Sequence, residues 1–262
     1  MIRKTSLTFS DTFSKITGST VYLKNEFEQK TGSFKLRGAY YKIKTLTEDE
    51  RKKGVVAASA GNHAQGVAFA AALEKISCTI VMPINASPAK VAATRGYGAT
   101  VILEGKNYDE SWVKAQEIAK TNGATIIHAF DDSQIISAQG VIGLEIIEQL
   151  PDVDEIYVPI GGGGLAAGIL TAVKNKNPNV KIIGVESKSF PSMKNSLDSG
   201  KIETIDGGFT VADGISVRTP GKQTFEIIKD KIDEIVLVDD DEIIKTMFLF
   251  CLLYTSDAAD DM

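Results

Sequence analysis

Between residues 54 and 186, short runs of branched apolar residues alternate with longer stretches of helical period. Strands are expected at 54–58, 77–82, 99–103, 124–128, 155–160 and 180–186. Helices are expected over 63–73, from Pro88, over 109–121, over 134–149, and from a glycine run to about Lys174. A helix between each pair of strands is the crossover that parallel pairing requires. The alternation points to an α/β fold with mostly parallel twisted sheets.

Other segments fit this frame. Residues 20–24 read as a short strand, and Ser33 can N-cap a helix whose apolar positions are Leu36, Ala39, Tyr40, Ile43 and Leu46. Lys35 then lies in the first turn. Ser87 as N-cap, Pro88 at the first helical position and Gly96 after the last make the next helix start and stop cleanly. Residues 187–221 read as loops around a short helix, followed by a strand at 234–238 and an acidic helix start at 239–242.

Composition narrows the chemistry. The net charge is −5 and the basic residues are scattered, which argues against a nucleic-acid surface and for small-molecule work. Cys78 and Cys251 lack CxxC spacing, so neither a disulfide framework nor a cysteine zinc site is expected. With His63 and His128 as the two histidines, a histidine-rich metal site is excluded, and no EF-hand spacing organises Glu186, Asp206, Asp213 or Asp239. No apolar run approaches the roughly 20 residues that span a bilayer, and the first residues lack the apolar core of a signal peptide. A cytoplasmic enzyme with no membrane or nucleic-acid partner is the expectation.

Three stretches can carry chemistry. In Thr31-Gly32-Ser33-Phe34-Lys35-Leu36-Arg37-Gly38-Ala39 a lysine sits at a helix start among small residues. Taken alone it reads first as an exposed surface lysine, but a desolvated amine there would be a nucleophile or base. Ser59-Ala60-Gly61-Asn62-His63 lies between a buried strand and a helix, so its N–H groups can hold a carboxylate while Asn62 offers an amide donor. Taken alone it is equally a capped turn. Gly161-Gly162-Gly163-Gly164 follows a strand and opens a helix, an arrangement that binds phosphate. The same run fits a dinucleotide fingerprint through Ala166, with Glu186 as ribose-binding acid, so a nicotinamide-dependent dehydrogenase is the rival reading.

Taken together, Lys24-Asn-Glu-Phe-Glu-Gln-Lys-Thr-Gly-Ser-Phe-Lys-Leu-Arg-Gly-Ala39, Ser59-Ala-Gly-Asn-His-Ala-Gln-Gly66 and Gly161-Gly-Gly-Gly-Leu165 closely resemble the threonine/serine dehydratase family. These are pyridoxal-phosphate enzymes of fold type II, the tryptophan synthase β-like group, and serine racemase shares their frame. The resemblance implies pyridoxal 5′-phosphate as cofactor and an amino acid, L-threonine or L-serine, as substrate. It implies that Lys35 is the Schiff-base lysine and catalytic base, and that Asn62 partners the cofactor's 3′-oxygen. Gly161, Gly162, Gly163, Gly164 and Leu165 would cradle the phosphate. Ser59, Ala60, Gly61, Asn62 and His63 would grip the substrate carboxylate, and Ala212-Asp213-Gly214 resembles a family motif near the site. The architecture implied is a large domain of 1–49 plus 148–250, a small domain of 50–147, and a homo-oligomer.

The chain departs from the family at several points. The family's later Glu-Pro-x-Gly and Ser-Gly-Gly-Asn segments do not occur, and residues 251–262 read as a non-native tail replacing the family's C-terminus. A pseudoenzyme or inactive fragment therefore stands as an alternative. The family's cation site needs an acid six positions after Glu186, where this chain has Ser192, so no metal is expected. Serine racemases carry a second proton-transfer serine where this chain has Ala60, which favours dehydration over racemisation.

Overall fold

In the computed structural model, which describes residues 2–255, contacts divide the chain after Val153 into two compact units. The first begins with an antiparallel pair, β1 (Leu7–Phe9) and β2 (Tyr22–Lys24), joined through α1 (Asp11–Thr17). Next come α2 (Lys35–Lys44) and α3 (Glu48–Lys53). The alternating part follows: β3 (Val55–Ala58), α4 (Asn62–Leu73), β4 (Cys78–Met82), α5 (Pro88–Gly96), β5 (Thr100–Leu103), α6 (Tyr108–Asn122), β6 (Thr125–Ile126) and α7 (Ser133–Gln149).

The four strands β3 to β6 form one parallel sheet in the order β5-β4-β3-β6. The chain builds outward from β3 through β4 to β5, then returns to add β6 on the other flank of β3. That reversal is a topological switch point, and in open α/β sheets the crevice beyond the carboxyl ends of the strands at such a point is where ligands bind. All four residues of β3 are buried, as its central place demands.

Helix α2 packs mainly against α4 and α7. Glycine makes both approaches possible. A Cβ at Gly66 on α4 would stand 3.2 Å from Leu36 N and 3.3 Å from Lys35 C, and one at Gly38 on α2 would stand 2.6 Å from the Gln139 amide of α7. The first turn of α2 is thus pressed directly on α4. Leu36, Ala39 and Ile43 complete the seam, fully buried.

The second unit holds β7 (Glu155–Pro159), α8 (Gly164–Lys176), β8 (Lys181–Ser187), α9 (Ser192–Ser199), α10 (Lys222–Lys229), β9 (Glu234–Val238) and α11 (Asp240–Thr255). Its strands are parallel in the order β7-β8-β9. Ile182, Leu170, Met193 and Ile228 lie in its core. The expected tail 251–262 covers the end of α11 and then residues outside the described ones.

Local details differ from expectation. Ser33 does not cap α2: the N-cap position is Phe34, and the buried Ser33 hydroxyl has no hydrogen-bond partner among the described residues. Ser87 holds the N-cap position of α5, but its side chain makes no capping bond. Strand β6 is two residues long rather than five, and after Ile127, whose N–H still bonds the Val56 carbonyl, residues 128–131 leave the sheet. Helices α1, α3 and α10 and strand β1 were not expected, although Thr47 and Glu50 form a capping box that announces α3.

A buried ionic network ties α2 to its surroundings. Arg37 reaches Glu26 with Nε and Nη2 at 2.8 and 2.7 Å, and Glu145 of α7 with Nη1 and Nη2 at 2.7 and 2.8 Å. Lys24 of β2 joins the same Glu145 at 2.7 Å. Burial works against the Glu145 charge, but the bonds from Arg37 and Lys24 prevail and lower its pKa. Its stabilising share is therefore present above the ordinary carboxylate range and lost as pH falls through the lowered value. Arg37→Ala leaves Glu26 without its cation and Glu145 with Lys24 alone, and a loss of about 3–5 kcal/mol is expected in urea unfolding at neutral pH.

Candidate active site

Lys35 is the first residue of α2. Its side chain is partly buried, and Nζ donates to the Ala129 carbonyl at 2.9 Å. The Phe34 ring lies 5.3 Å from Nζ. Lys35 forms no ion pair among the described residues, so no counter-ion offsets the removal of its charge from water. Burial accordingly lowers its pKa from 10.5 to about 8. This is an amine with a substantial free-base fraction at mildly alkaline pH.

Residues 59–61 form the turn between β3 and α4, at the carboxyl end of the central strand. The Ser59 hydroxyl accepts from Gly61 N at 3.1 Å. Gly61 takes the N-cap position of α4 with no side-chain bond, which leaves the first-turn N–H groups of the helix open. Asn62 is exposed, and its amide makes no hydrogen bond among the described residues. Ala60 lies beside it with only a methyl group to offer. His63 is different, for it is buried and its Nε2 donates to the Ile127 carbonyl at 2.9 Å. Burial, then the Lys35 charge, lower its pKa to about 3, so the ring is neutral. His63 ties α4 to the strand end; only its backbone N–H stays with the open turn.

The segment after β6 was not singled out in the sequence. Its Ile127 carbonyl takes His63, its Ala129 carbonyl takes Lys35, and Asp132 caps α7 while pairing with Lys42 of α2 at 2.7 Å. Backbone carbonyls carry no sequence signal, so this partner of Lys35 could be found only in the fold. The turn 59–61 follows β3 and the segment 127–131 follows β6, and these two strands flank the switch point. Lys35, Ser59, Ala60, Gly61, Asn62 and His63 are thereby gathered in one unit.

The glycine run lies in the second unit, at the carboxyl end of β7. Gly163 caps α8 with φ of 93°, and a Cβ there would meet Met193, Ile228 and Thr224 at 2.8–2.9 Å. A Cβ at Gly161 would meet Ile215 Cα at 3.0 Å. Thr224 Oγ1 donates to the Gly162 carbonyl at 2.6 Å, holding the peptide's oxygen inward. The turn is walled on one side and carries no side chain before Leu165, with the first N–H groups of α8 lacking intrahelical acceptors. This is a cradle for an anion such as phosphate.

Glu186, the penultimate residue of β8, is fully buried, its oxygens accepting from Met193 N and Lys194 N at 2.9 and 2.8 Å. Burial lifts its pKa to about 7 against those two donors. It caps α9 and cannot reach a ribose hydroxyl. The profile of the pyridoxal-phosphate dependent enzyme family matches residues 1–254. This chain belongs to that family. The dehydrogenase reading of the glycine run is overturned on both counts.

Similar proteins agree with the family. The L-threonine ammonia-lyase of Thermotoga maritima is 52% identical over 93% of this chain and 61% of its own length. The catabolic L-threonine dehydratase of Staphylococcus aureus is 49% identical over 92% of the chain and 70% of its own length. Among solved structures, threonine deaminase isoform 2 of Solanum lycopersicum superposes with a TM-score of 0.88 at 42% identity, covering 90% of this chain and 69% of that one. Maize serine racemase gives 0.92 at 35% identity, covering 96% and 76%. The fold is the type II fold of this family. The chain spans about three fifths of the Thermotoga relative's length. No helix of the described residues is long and apolar enough to cross a membrane.

Taken one unit at a time, the residues suit groups that the cofactor carries: the first unit has a desolvated amine with no counter-ion among the described residues, and the second has a side-chain-free anion cradle. The amine makes a prediction for the protein without cofactor. Its folded pKa lies below its unfolded value, so its burial costs stability below about pH 8, and the cost fades as pH rises towards 10.5. Lys35→Met is expected to unfold at higher urea than the parent at pH 7, with the advantage shrinking by pH 10.

Proposed function

We propose that this chain is the catalytic part of an enzyme that dehydrates and deaminates L-threonine, or L-serine, to a 2-oxo acid and ammonia. The observation that carries it is the Lys35 amine, desolvated without a counter-ion beside the sheet's switch point. The names of the threonine ammonia-lyase and dehydratase relatives support the substrate.

Pyridoxal phosphate, when bound, supplies the electron sink for the pair left behind as the substrate's Cα proton departs. Lys35 would hold it covalently between turnovers, Asn62 would donate to its 3′-oxygen, and Gly161, Gly162, Gly163, Gly164 and Leu165 would hold its phosphate through N–H groups. The turn Ser59-Ala60-Gly61-Asn62-His63 binds the substrate carboxylate with the open N–H groups of α4. Lys35 Nζ then takes the Cα proton as general base, for which a pKa of about 8 suits it at cellular pH. The β-hydroxyl departs as water, and the released enamine hydrolyses to the 2-oxo acid and ammonia. The same reading groups 1–49 with 148–250 as the large domain, takes 50–147 as the small one, and expects a cytoplasmic homo-oligomer.

The likeness to serine racemase favours a second reading, which Ala60 opposes because it offers no second proton-transfer group. With pyridoxal phosphate added and borohydride reduction, peptide mass spectrometry is expected to find the label on Lys35; a label elsewhere sinks the proposal. Lys35→Ala is expected to lower 2-oxo acid formation by about 10²–10⁴-fold or more. Chiral chromatography with L-serine is expected to show 2-oxo acid without D-serine, and Ala60→Ser to bring D-serine up.

A further inference from the structure

The Ala129 carbonyl is what holds Lys35, and the turn around it is what aims that carbonyl. Within the turn, His128 Nδ1 accepts from Phe130 N at 3.2 Å and from Asp131 N at 2.8 Å. These are the N–H groups two and three residues ahead. An asparagine or aspartate oxygen does the same in an Asx turn; here an imidazole nitrogen takes its place. The Trp112 ring of α6 and the Phe130 ring meet the imidazole edge-on, with centroids 5.1 and 4.7 Å away, and fix its plane.

We propose that His128 is a positioning residue for the Lys35 amine: its imidazole, unprotonated at Nδ1, closes the turn through Phe130 and Asp131 and so keeps the Ala129 carbonyl on Lys35 Nζ. The proposal rests on Lys35 being the reactive amine. A proton on Nδ1 would face two N–H donors, so the imidazolium and the turn exclude one another. The charged groups facing His128 are Asp131 and Asp132 of its own segment, which favour the cation, and Lys35 of α2, which opposes it. From α6 it meets Trp112, itself stacked on Tyr108. Burial is the largest influence and lowers the His128 pKa. On the other side of Ala129, His63 of α4 holds the Ile127 carbonyl, so the segment is pinned at both ends.

The test uses the whole chain without cofactor. Imidazole ¹⁵N spectra are expected to show His128 with Nδ1 unprotonated from about pH 8 to about pH 6, where a free histidine would titrate. Competitive acetylation with acetic anhydride, read peptide by peptide, is expected to give Lys35 a midpoint near 8. His128→Ala loosens the turn and admits water to the amine, so the midpoint moves up by about one unit or more, and acetylation at pH 7 slows about tenfold or more. His128→Asn, whose Oδ1 accepts the same two N–H groups, restores the parent profile. A protonated Nδ1, an unmoved midpoint in His128→Ala, or no rescue by asparagine overturns the proposal. Fluorescence of Trp112, the single tryptophan, reports whether each variant folds. Should the alanine variant not fold, His128→Gln, whose longer amide misses the turn, is compared with His128→Asn on the same criteria. An unlabelled Lys35 after pyridoxal phosphate and borohydride, with the acetylation results as expected, would overturn the cofactor reading and leave this geometry standing.

Discussion

Arg37 shares one guanidinium between the buried Glu145 and the half-buried Glu26, and the placement of the Lys35 amine follows from it. Glu26 comes from the N-terminal segment and Glu145 from α7, so the bonds clamp α2 between chain segments far apart in sequence. Replacing such a cluster by apolar residues is often neutral for stability, which makes registry its better-attested use. Its planar fork accepts one rotation of α2 about its axis. With Gly38 and Gly66 allowing α7 and α4 to close in, that rotation puts Lys35 where Ala129 can receive it.

The position of Lys35 also explains its chemistry. A first-turn lysine on an exposed helix would stay charged and hydrated. Here α2 is pressed onto α4 beside the carboxyl ends of β3 and β6, and among the described residues the amine meets a carbonyl rather than a carboxylate. Desolvation without a counter-ion is what brings its pKa towards neutrality. An acid in place of the Ala129 carbonyl would hold the proton on and keep the amine charged. In the second unit the same logic runs through backbone alone, since Gly163 and Gly161 stand where no Cβ fits and leave N–H groups as the groups on offer.

Much of this was legible beforehand. The alternation of apolar runs with helical stretches gave the parallel sheets, because period and run length are local properties. The Lys35, Asn62 and glycine stretches stood out because small residues, a helix start and a strand end are visible as spacing. Less visible were contacts made by backbone: the Ala129 carbonyl, and the turn that His128 closes. Ser33 looked like a cap because serine usually is one, yet packing buries its hydroxyl and gives Phe34 that position. Glu186 looked like a ribose ligand in the rival reading, and its burial under α9 makes it a helix cap instead.

The sequence by itself determined the α/β class, the family, and the residue types on which a cofactor-bound amine enzyme is built, since these rest on local periodicity and on motifs of fixed spacing. Only the tertiary structure decided that His63 is a neutral strut rather than a free side chain, that Lys35 is desolvated without a counter-ion, and that a carbonyl 94 residues away receives it. Charge state depends on what surrounds an atom in space, and sequence order does not record it.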